Sequence, residues 1–341
     1  MTRKTRIRAT VAALAAIAPI AGSAMAGEKE VPMQKSFGGS CVKCELAGRN
    51  LSGARIVGAN FSGANLTGAN LRDAKFHASV FSDANLTKAD LSDAAMAGAV
   101  FSNANLTSAR LRATEANGVV FISANLTKAD LSDVEASGAV FRKANLIGAI
   151  LRSATLRGGV FEGADLSRAT LTDIQAQGAN FYRARLAGTV LRSAGLQHAN
   201  FSKVEAHNAS FQDAEMTGAN LSHAAFSHAS FRSTDLTNAT LAGSNFDGAD
   251  FRDADLTRAS LHGADLANAR GLNQDQLDDA CGDARTRLPR GLAIKVCNSV
   301  RMIVKPDYHR SMRMVPAVPA APTPPAPPAP PPSPRYFLTL H

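Results

Sequence analysis

Ala64-Asn65-Leu66-Thr67-Gly68-Ala69-Asn70-Leu71-Arg72-Asp73 contains one five-residue unit written twice, a small residue, Asn, Leu and two polar positions. Ala89-Asp90-Leu91-Ser92-Asp93 repeats it with Asp for Asn. Working outward from these, every fifth residue from Leu51 to Leu266 is Leu, Phe, Ile, Met or Ala without a slip of phase, and small residues fill most positions two before it. A fixed period over so long a stretch is the mark of a repeat architecture, in which each unit is buried only by its neighbours.

A second period lies over the first. Segments starting at Val80, Val100, Val120, Val140 and Val160 all begin Val-Phe and share the same order of core residue types, so twenty residues make one coil. That spacing predicts one aromatic column from Phe61, Phe81, Phe101, Phe121, Phe141, Phe161, Phe181 and Phe201, and a Leu column through Leu66, Leu86, Leu106 and Leu126 as far as Leu186. Eleven coils at the ~4.8 Å spacing of paired backbones would build a rod roughly 50 Å long.

These Ala-Asn-Leu-x-x and Ala-Asp-Leu-x-x units resemble the pentapeptide-repeat family, over roughly two thirds of the chain. The resemblance implies an all-β solenoid: a right-handed, four-sided parallel β-helix. Core volumes are consistent with an inward assignment of two positions per unit. Where Ala116, Ala136, Ala176 and Ala206 replace a large central residue, the residues two before them become Thr114, Val134, Ile174 and Val204. Leu221, Leu241 and Leu261 replace Phe on the first side, while Phe211, Phe231 and Phe251 replace Leu on the third. Close packing requires such exchanges, so a filled interior without a ligand channel is expected. Gly98, Gly118, Gly138, Gly158, Gly178 and Gly218 recur at one corner, where a positive φ would favour them.

The ends read differently. Residues 1–26 have Arg3, Lys4, Arg6 and Arg8, an apolar stretch from Ala9 to Ile20, and Ala24-Met25-Ala26, the pattern of a secretory signal peptide with cleavage after Ala26. The apolar stretch is shorter than the ~20 residues that span a bilayer. No Cys follows the cleavage point and no Arg-Arg pair precedes it, which argues against a lipoprotein and against twin-arginine export. Periplasmic or secreted localisation is the expectation, with no transmembrane segment after cleavage. Residues 27–45 form a mature N-terminus and CxxC cap, 46–270 the repeats, 271–298 a C-terminal cap, and 299–341 a basic and then Pro/Ala-rich tail expected to be disordered, extended over Val315–Pro334. In the cap, Asn273 and Gln276 form a capping box for a short helix through Ala280, ended by Gly282, and a strand is predicted over Leu292–Val296.

Export places four cysteines in an oxidising compartment. Cys41 and Cys44 precede the first coil; Cys281 and Cys297 follow the last. The expected disulfides are Cys41 with Cys44 and Cys281 with Cys297. A zinc site would need the four thiolates together, whereas the pairs flank opposite ends of a rod. No thioredoxin-like βαβ pattern surrounds the CxxC, and Glu45 stands where haem attachment would require His.

The formal net charge of +9 is concentrated at the termini. From Leu46 to Arg270 there are 21 Lys and Arg against 20 Asp and Glu; from Gly271 onward the count is 9 against 5. A neutral solenoid lacks the electrostatic footprint of a nucleic-acid binder, and no nucleic-acid partner is expected. The third side carries charge that alternates coil by coil, through Asp93, Arg112, Asp133, Arg152, Asp173, Arg192, Asp213 and Arg232, predicting a self-compensating ladder. The alternative reading is an Arg stripe for an anionic polymer. On the second side, Thr67, Thr87, Thr107 and Thr127 lie beside Asn65, Asn85, Asn105 and Asn125; a flat Thr array suggests ice binding, but Lys88 and Lys128 project from the same side, which favours solvated ladders. His207 and His228 fall on adjacent coils and are the weak metal candidates. No catalytic set or cofactor fingerprint stands out, and none is expected.

The leading functional reading is a non-enzymatic exported solenoid, a structural or protein-interaction element of the bacterial envelope whose partner the sequence does not name. A second class follows from the resemblance, whose members include mimics of duplex DNA that engage gyrase; that role calls for an acidic cytoplasmic rod. A third is a metal-binding or enzymatic protein using His207 and His228.

Overall fold

In each five-residue unit the chain makes a tight turn around its central residue, and the hydrogen bonds show why five residues suffice. The computed structural model describes residues 39–297. In the unit around Leu91, the Leu91 N–H donates to Arg110 O (2.7 Å) and the Asp93 N–H to Arg112 O (2.9 Å), both on the next coil. The Asp90 N–H donates backward to Ala69 O (2.9 Å), and the Ala94 N–H closes the turn on Leu91 O (3.1 Å). The fifth donor, the Ser92 N–H, faces outward and is taken by Asp90 Oδ1 (3.0 Å). All five donors are thus satisfied, which explains why Asn or Asp so often precedes the central residue.

Coils stack in strict register. Residues preceding the centre pair in parallel with those twenty positions on, from Ser40 with Asn60 to Asp250 with Arg270. Four such columns run along the rod, one per side. The result is a four-sided parallel β-helix.

The interior is filled. Phe61 to Phe201 on the first side form a stack with ring centroids 4.7 to 5.1 Å apart. Offset stacking of this kind adds to burial, since each ring edge meets the next ring's face. After Phe201 the aromatics move sides. Phe201 meets Phe211 edge to face at 5.6 Å, and two shorter stacks continue, Phe211-Phe231-Phe251 on the third side and Phe226-Phe246 on the second. Ala116, Ala136, Ala176 and Ala206 are buried with their enlarged partners Thr114, Val134, Ile174 and Val204. The exchange has a local cost, because the turn bond lengthens to 3.4 Å at Val134 and Val204.

The glycines expected at one corner do adopt positive φ, from 63° at Gly158 to 67° at Gly98. Positive φ is not confined to the corner marked by Gly98 and Gly118: it occurs at every fifth residue from Lys43 to Gly263, on all four sides. Asp, Lys, Ser, Asn, His, Ala and Arg occupy most of these left-handed positions. Most are closed by the turn bond from the following residue, which makes them the third residue of a type II turn.

Beyond the last coil, helix α1 (Gln274–Asp278) begins with Asn273 as N-cap and a reciprocal bond from Gln276. It ends at Asp279, and Gly282 is not its terminator: Gly282 lies in strand β1 (Cys281–Gly282). The strand expected over Leu292–Val296 is shorter, β2 (Lys295–Val296), parallel to β1. This segment bonds to the final coil. Gln276 Nε2 donates to Phe251 O and Ala254 O (2.8 Å each), the Leu261 N–H to Cys281 O, and Leu277 is buried. The stretches expected to form a signal peptide and a Pro/Ala-rich tail lie outside the described residues. Among the described residues, no helix is long and apolar enough to cross a membrane.

Candidate functional site

Everything that faces inward is packing, so a site must be built from the outward positions of each unit. On the second side, the Thr67, Thr87, Thr107 and Thr127 hydroxyls each donate to the Oδ1 of the Asn two before (2.6 to 2.7 Å). These hydroxyl protons are committed to the turn.

The first side departs from this chemistry. Asn60 precedes Phe61, and Asn180, Asn200 and Asn220 precede the later centres, each accepting from the N–H two residues on. Between them stand Val80, Val100, Val120, Val140 and Val160, stacked at one-coil spacing and partly exposed. Ile122 adds to the apolar surface. Valine cannot take the outward N–H, so five successive coils forgo a hydrogen bond made elsewhere. Alongside runs the corner of Gly98, Gly118, Gly138 and Gly158, with open space where a side chain would be. The stripe is therefore apolar and bordered by an open corner, while the turn residues on its other flank include Asp83, Lys143 and the Arg142–Glu162 ion pair. The sequence signal was visible in the Val-Phe pairs, which mark the coil period but also place an apolar residue at an outward position.

On the third side, the predicted ladder divides into separate rungs. Arg72 reaches Asp93 at 2.9 Å and Arg112 reaches Asp133 at 3.5 Å, each from one coil to the next. Among the described residues, Arg152, Asp173, Arg192, Asp213 and Arg232 form no ion pair, and Arg192 instead donates to Gln212 Oε1 (2.6 Å). Long Arg side chains can satisfy themselves on a neutral acceptor or in water, so alternation in sequence does not impose a continuous zipper. Asp90 is held below the usual carboxylate range: burial opposes its charge, but the Ser92 hydroxyl and N–H, with Arg72 and Arg110, outweigh it.

His207 and His228 are both exposed. The His228 ring lies over Gly248, with Nδ1 in the space a Cβ would need. His198 and His223 cover Gly218 and Gly243 in the same way, so these imidazoles act as lids over the glycine of the following coil. Among the described residues no group of three or more His, Cys, Asp or Glu is placed to hold a metal ion. Tyr182, partly exposed, has Arg183 at 5.0 Å and Lys203 at 5.6 Å from its ring centre.

The cysteines pair Cys41 with Cys44 at the start of the first coil and Cys281 with Cys297 across β1 and the end of β2. Sequence reasoning missed the surroundings of the second bridge. His262 Nδ1 lies 2.8 Å from Ser260 Oγ and 3.5 Å from Cys297 Sγ. Next to it, Asp283 accepts from the Gly263 N–H (2.8 Å), from the Arg285 guanidinium and from the Thr286 hydroxyl. Desolvation opposes the charge, yet these donors bring the carboxyl down to about 2.

Comparison with known proteins agrees with the geometry. The model of the family described as "Pentapeptide repeats" matches in overlapping stretches from 44–83 through 195–232, and again over 234–270. Among solved structures, the chain is similar to HetL, a pentapeptide repeat protein involved in heterocyst differentiation regulation in the cyanobacterium Nostoc sp. strain PCC 7120. The identity is 31%, over 63% of this chain and 89% of that one, with a TM-score of 0.27. It is also similar to QnrB1, a plasmid-mediated fluoroquinolone resistance protein (20% identity, 72% and 94% covered, TM-score 0.23). A third is a pentapeptide repeat protein from the Arabidopsis thaliana thylakoid lumen (30%, 35% and 72%, TM-score 0.18). No curated protein matches the chain. The family model alone spans well over half of the residues, and with the five-residue turn and twenty-residue coil it places this chain in the pentapeptide-repeat family.

Proposed function

We propose that this protein is an exported, non-enzymatic solenoid of the bacterial envelope that binds another protein through the valine stripe on its first side. The observation that carries the reading is the replacement of Asn by Val at positions 80, 100, 120, 140 and 160. There the rod gives up the outward hydrogen bond that Asn60 and Asn180 make on either side of the stripe. Partly exposed valines fit a pleated surface well, and an ordered apolar face that the core does not use is characteristic of interaction surfaces. Export is supported by the charged, apolar and small-residue sequence of residues 1–26.

Two experiments test the reading. Fractionation should recover a chain starting at Gly27 outside the cytoplasm; full-length protein in the cytoplasm would defeat export. Crosslinking in the native cells should capture a partner from a photoreactive residue at position 120. The triple variant Val80→Thr, Val100→Thr and Val140→Thr, carrying the same photoreactive residue at position 120, should lose that adduct while remaining folded. A partner captured equally by the variant would remove the stripe from the proposal.

A further inference from the structure

We propose that the Cys281–Cys297 bridge is a thiol-exchange site, with His262 as the group that stabilises the departing Cys297 sulfur and Cys281 as the atom that takes the incoming thiol. Both cysteines are partly exposed, so solvent thiols can reach the bridge. His262 Nδ1 stands 3.5 Å from Cys297 Sγ and therefore marks one sulfur of the pair. The second observation is the Ser260 hydroxyl, 2.8 Å from the same nitrogen, which fixes the ring in place beside the sulfur. Cys41 is buried, and no imidazole contacts the Cys41–Cys44 bridge among the described residues.

The chemistry follows from the asymmetry. A thiolate attacks Cys281 Sγ; the new S–S bond forms there, the Cys281–Cys297 bond breaks, and its electron pair leaves on Cys297 Sγ. The His262 Nδ1–H donates to that thiolate, and a better-stabilised leaving thiolate departs faster. A second thiolate then attacks the mixed disulfide, releasing Cys281 and the oxidised thiol pair; two thiols are oxidised and one disulfide is reduced. Cleavage would leave β2 joined to β1 only by backbone bonds such as the Cys297 N–H to Gly282 O (3.0 Å). The ligand class is thus a free thiol, either a small monothiol or a protein dithiol. This inference is independent of the valine stripe and of export.

The test uses the mature chain, limiting glutathione, acid quenching and mass spectrometry of the mixed disulfide. Glutathione should be found on Cys281 in several-fold excess over Cys297. His262→Ala should slow the exchange by at least about threefold and even out the two positions. Ser260→Ala, which removes the competing partner of Nδ1, should keep the preference. Should His262→Ala fail to fold, His262→Asn, whose amide N–H can still reach the sulfur, is expected to retain most of the rate. Glutathione mainly on Cys297, or an unchanged rate in both His262 variants, would overturn the proposal. A thioredoxin-type dithiol run in parallel separates the two sources: faster reduction by the dithiol at equal thiolate concentration identifies a protein reductant, and slower reduction a small thiol.

Discussion

At the scale of the residue, the fold depends on one backbone conformation that the side chains do not announce. Ser153 is left-handed at φ 56°, and so is every corner residue from Lys43 to Gly263. An L-residue held there is strained by about 1–2 kcal/mol, whereas glycine adopts it freely but loses more entropy on folding. Ser153→Gly is therefore expected to raise stability by up to about 1 kcal/mol, measured by chemical denaturation; a clear loss would contradict the turn assignment. In the interior the sign is opposite. Phe121 stacks 5.1 Å from both Phe101 and Phe141, and Phe121→Ala should cost about 3–5 kcal/mol by opening a cavity in a column that cannot collapse. A loss below about 1 kcal/mol would show that the column tolerates the gap.

Among the elements, the segment after Arg270 bonds to the final coil chiefly through polar groups. Asp283 joins the Gly263 N–H, Arg285 and Thr286, and its carboxyl lies lower in the folded state, at about 2, than in the unfolded chain. A depressed carboxyl stabilises the fold fully above its unfolded value, and that contribution is lost as the pH falls through the folded one. Amide protection at Gly263 and Arg285, whose N–H groups both donate to the Asp283 carboxylate, should accordingly fall between about pH 4 and pH 2 once the intrinsic pH dependence of exchange is divided out, and Asp283→Asn should reduce that dependence. Protection unaffected by acid in the wild type would show that Asp283 does not hold this junction. Part of the segment was legible: Asn273 and Gln276 spell a capping box at fixed spacing. Gly282 was misread because a glycine after a helix resembles a stop, and only the pairing of Cys281 with Lys295 reveals it as strand. His262 could not have been tied to Cys297, since that contact crosses 35 residues through a loop with no periodicity.

Over the whole molecule, what the sequence made legible was whatever repeats. Apolar residues at every fifth position give the core, and the Val-Phe pairs give the coil. Corner φ values were hidden, because Lys43, Asp93 and His228 carry no signature of a left-handed backbone. So were the partners of Arg72, Arg112 and Arg192, which depend on rotamers rather than spacing. The 21 basic and 20 acidic residues from Leu46 to Arg270 nevertheless predict a weak far field, since charges interspersed on this scale are screened beyond ~8 Å at physiological salt. A chain comprising Gly27 to Asn298 should show no appreciable affinity for duplex DNA or an acidic polysaccharide at about 0.15 M salt, while the longer chain through His341 binds weakly and loses that binding as salt rises. Tight, salt-sensitive binding by the shorter chain would promote the Arg112, Arg152, Arg192 and Arg232 stripe to a site.

Register at twenty residues also makes the rod divisible. Ala99-Val100-Phe101 and Val119-Val120-Phe121 occupy equivalent places on successive coils, so excising Val100 to Val119 joins Ala99 directly to Val120 and restores every inter-coil bond with new partners. The shortened protein should fold, bring Val80 beside Val120, and lose about one strand spacing, ~4.8 Å, from its scattering length. Failure to fold would mean that the coils are not interchangeable. For the gene, the same property makes length a heritable quantity: misaligned recombination between two such segments adds or removes a whole coil in frame. Selection could thereby tune the reach of the valine stripe in single rungs without ever passing through a broken protein.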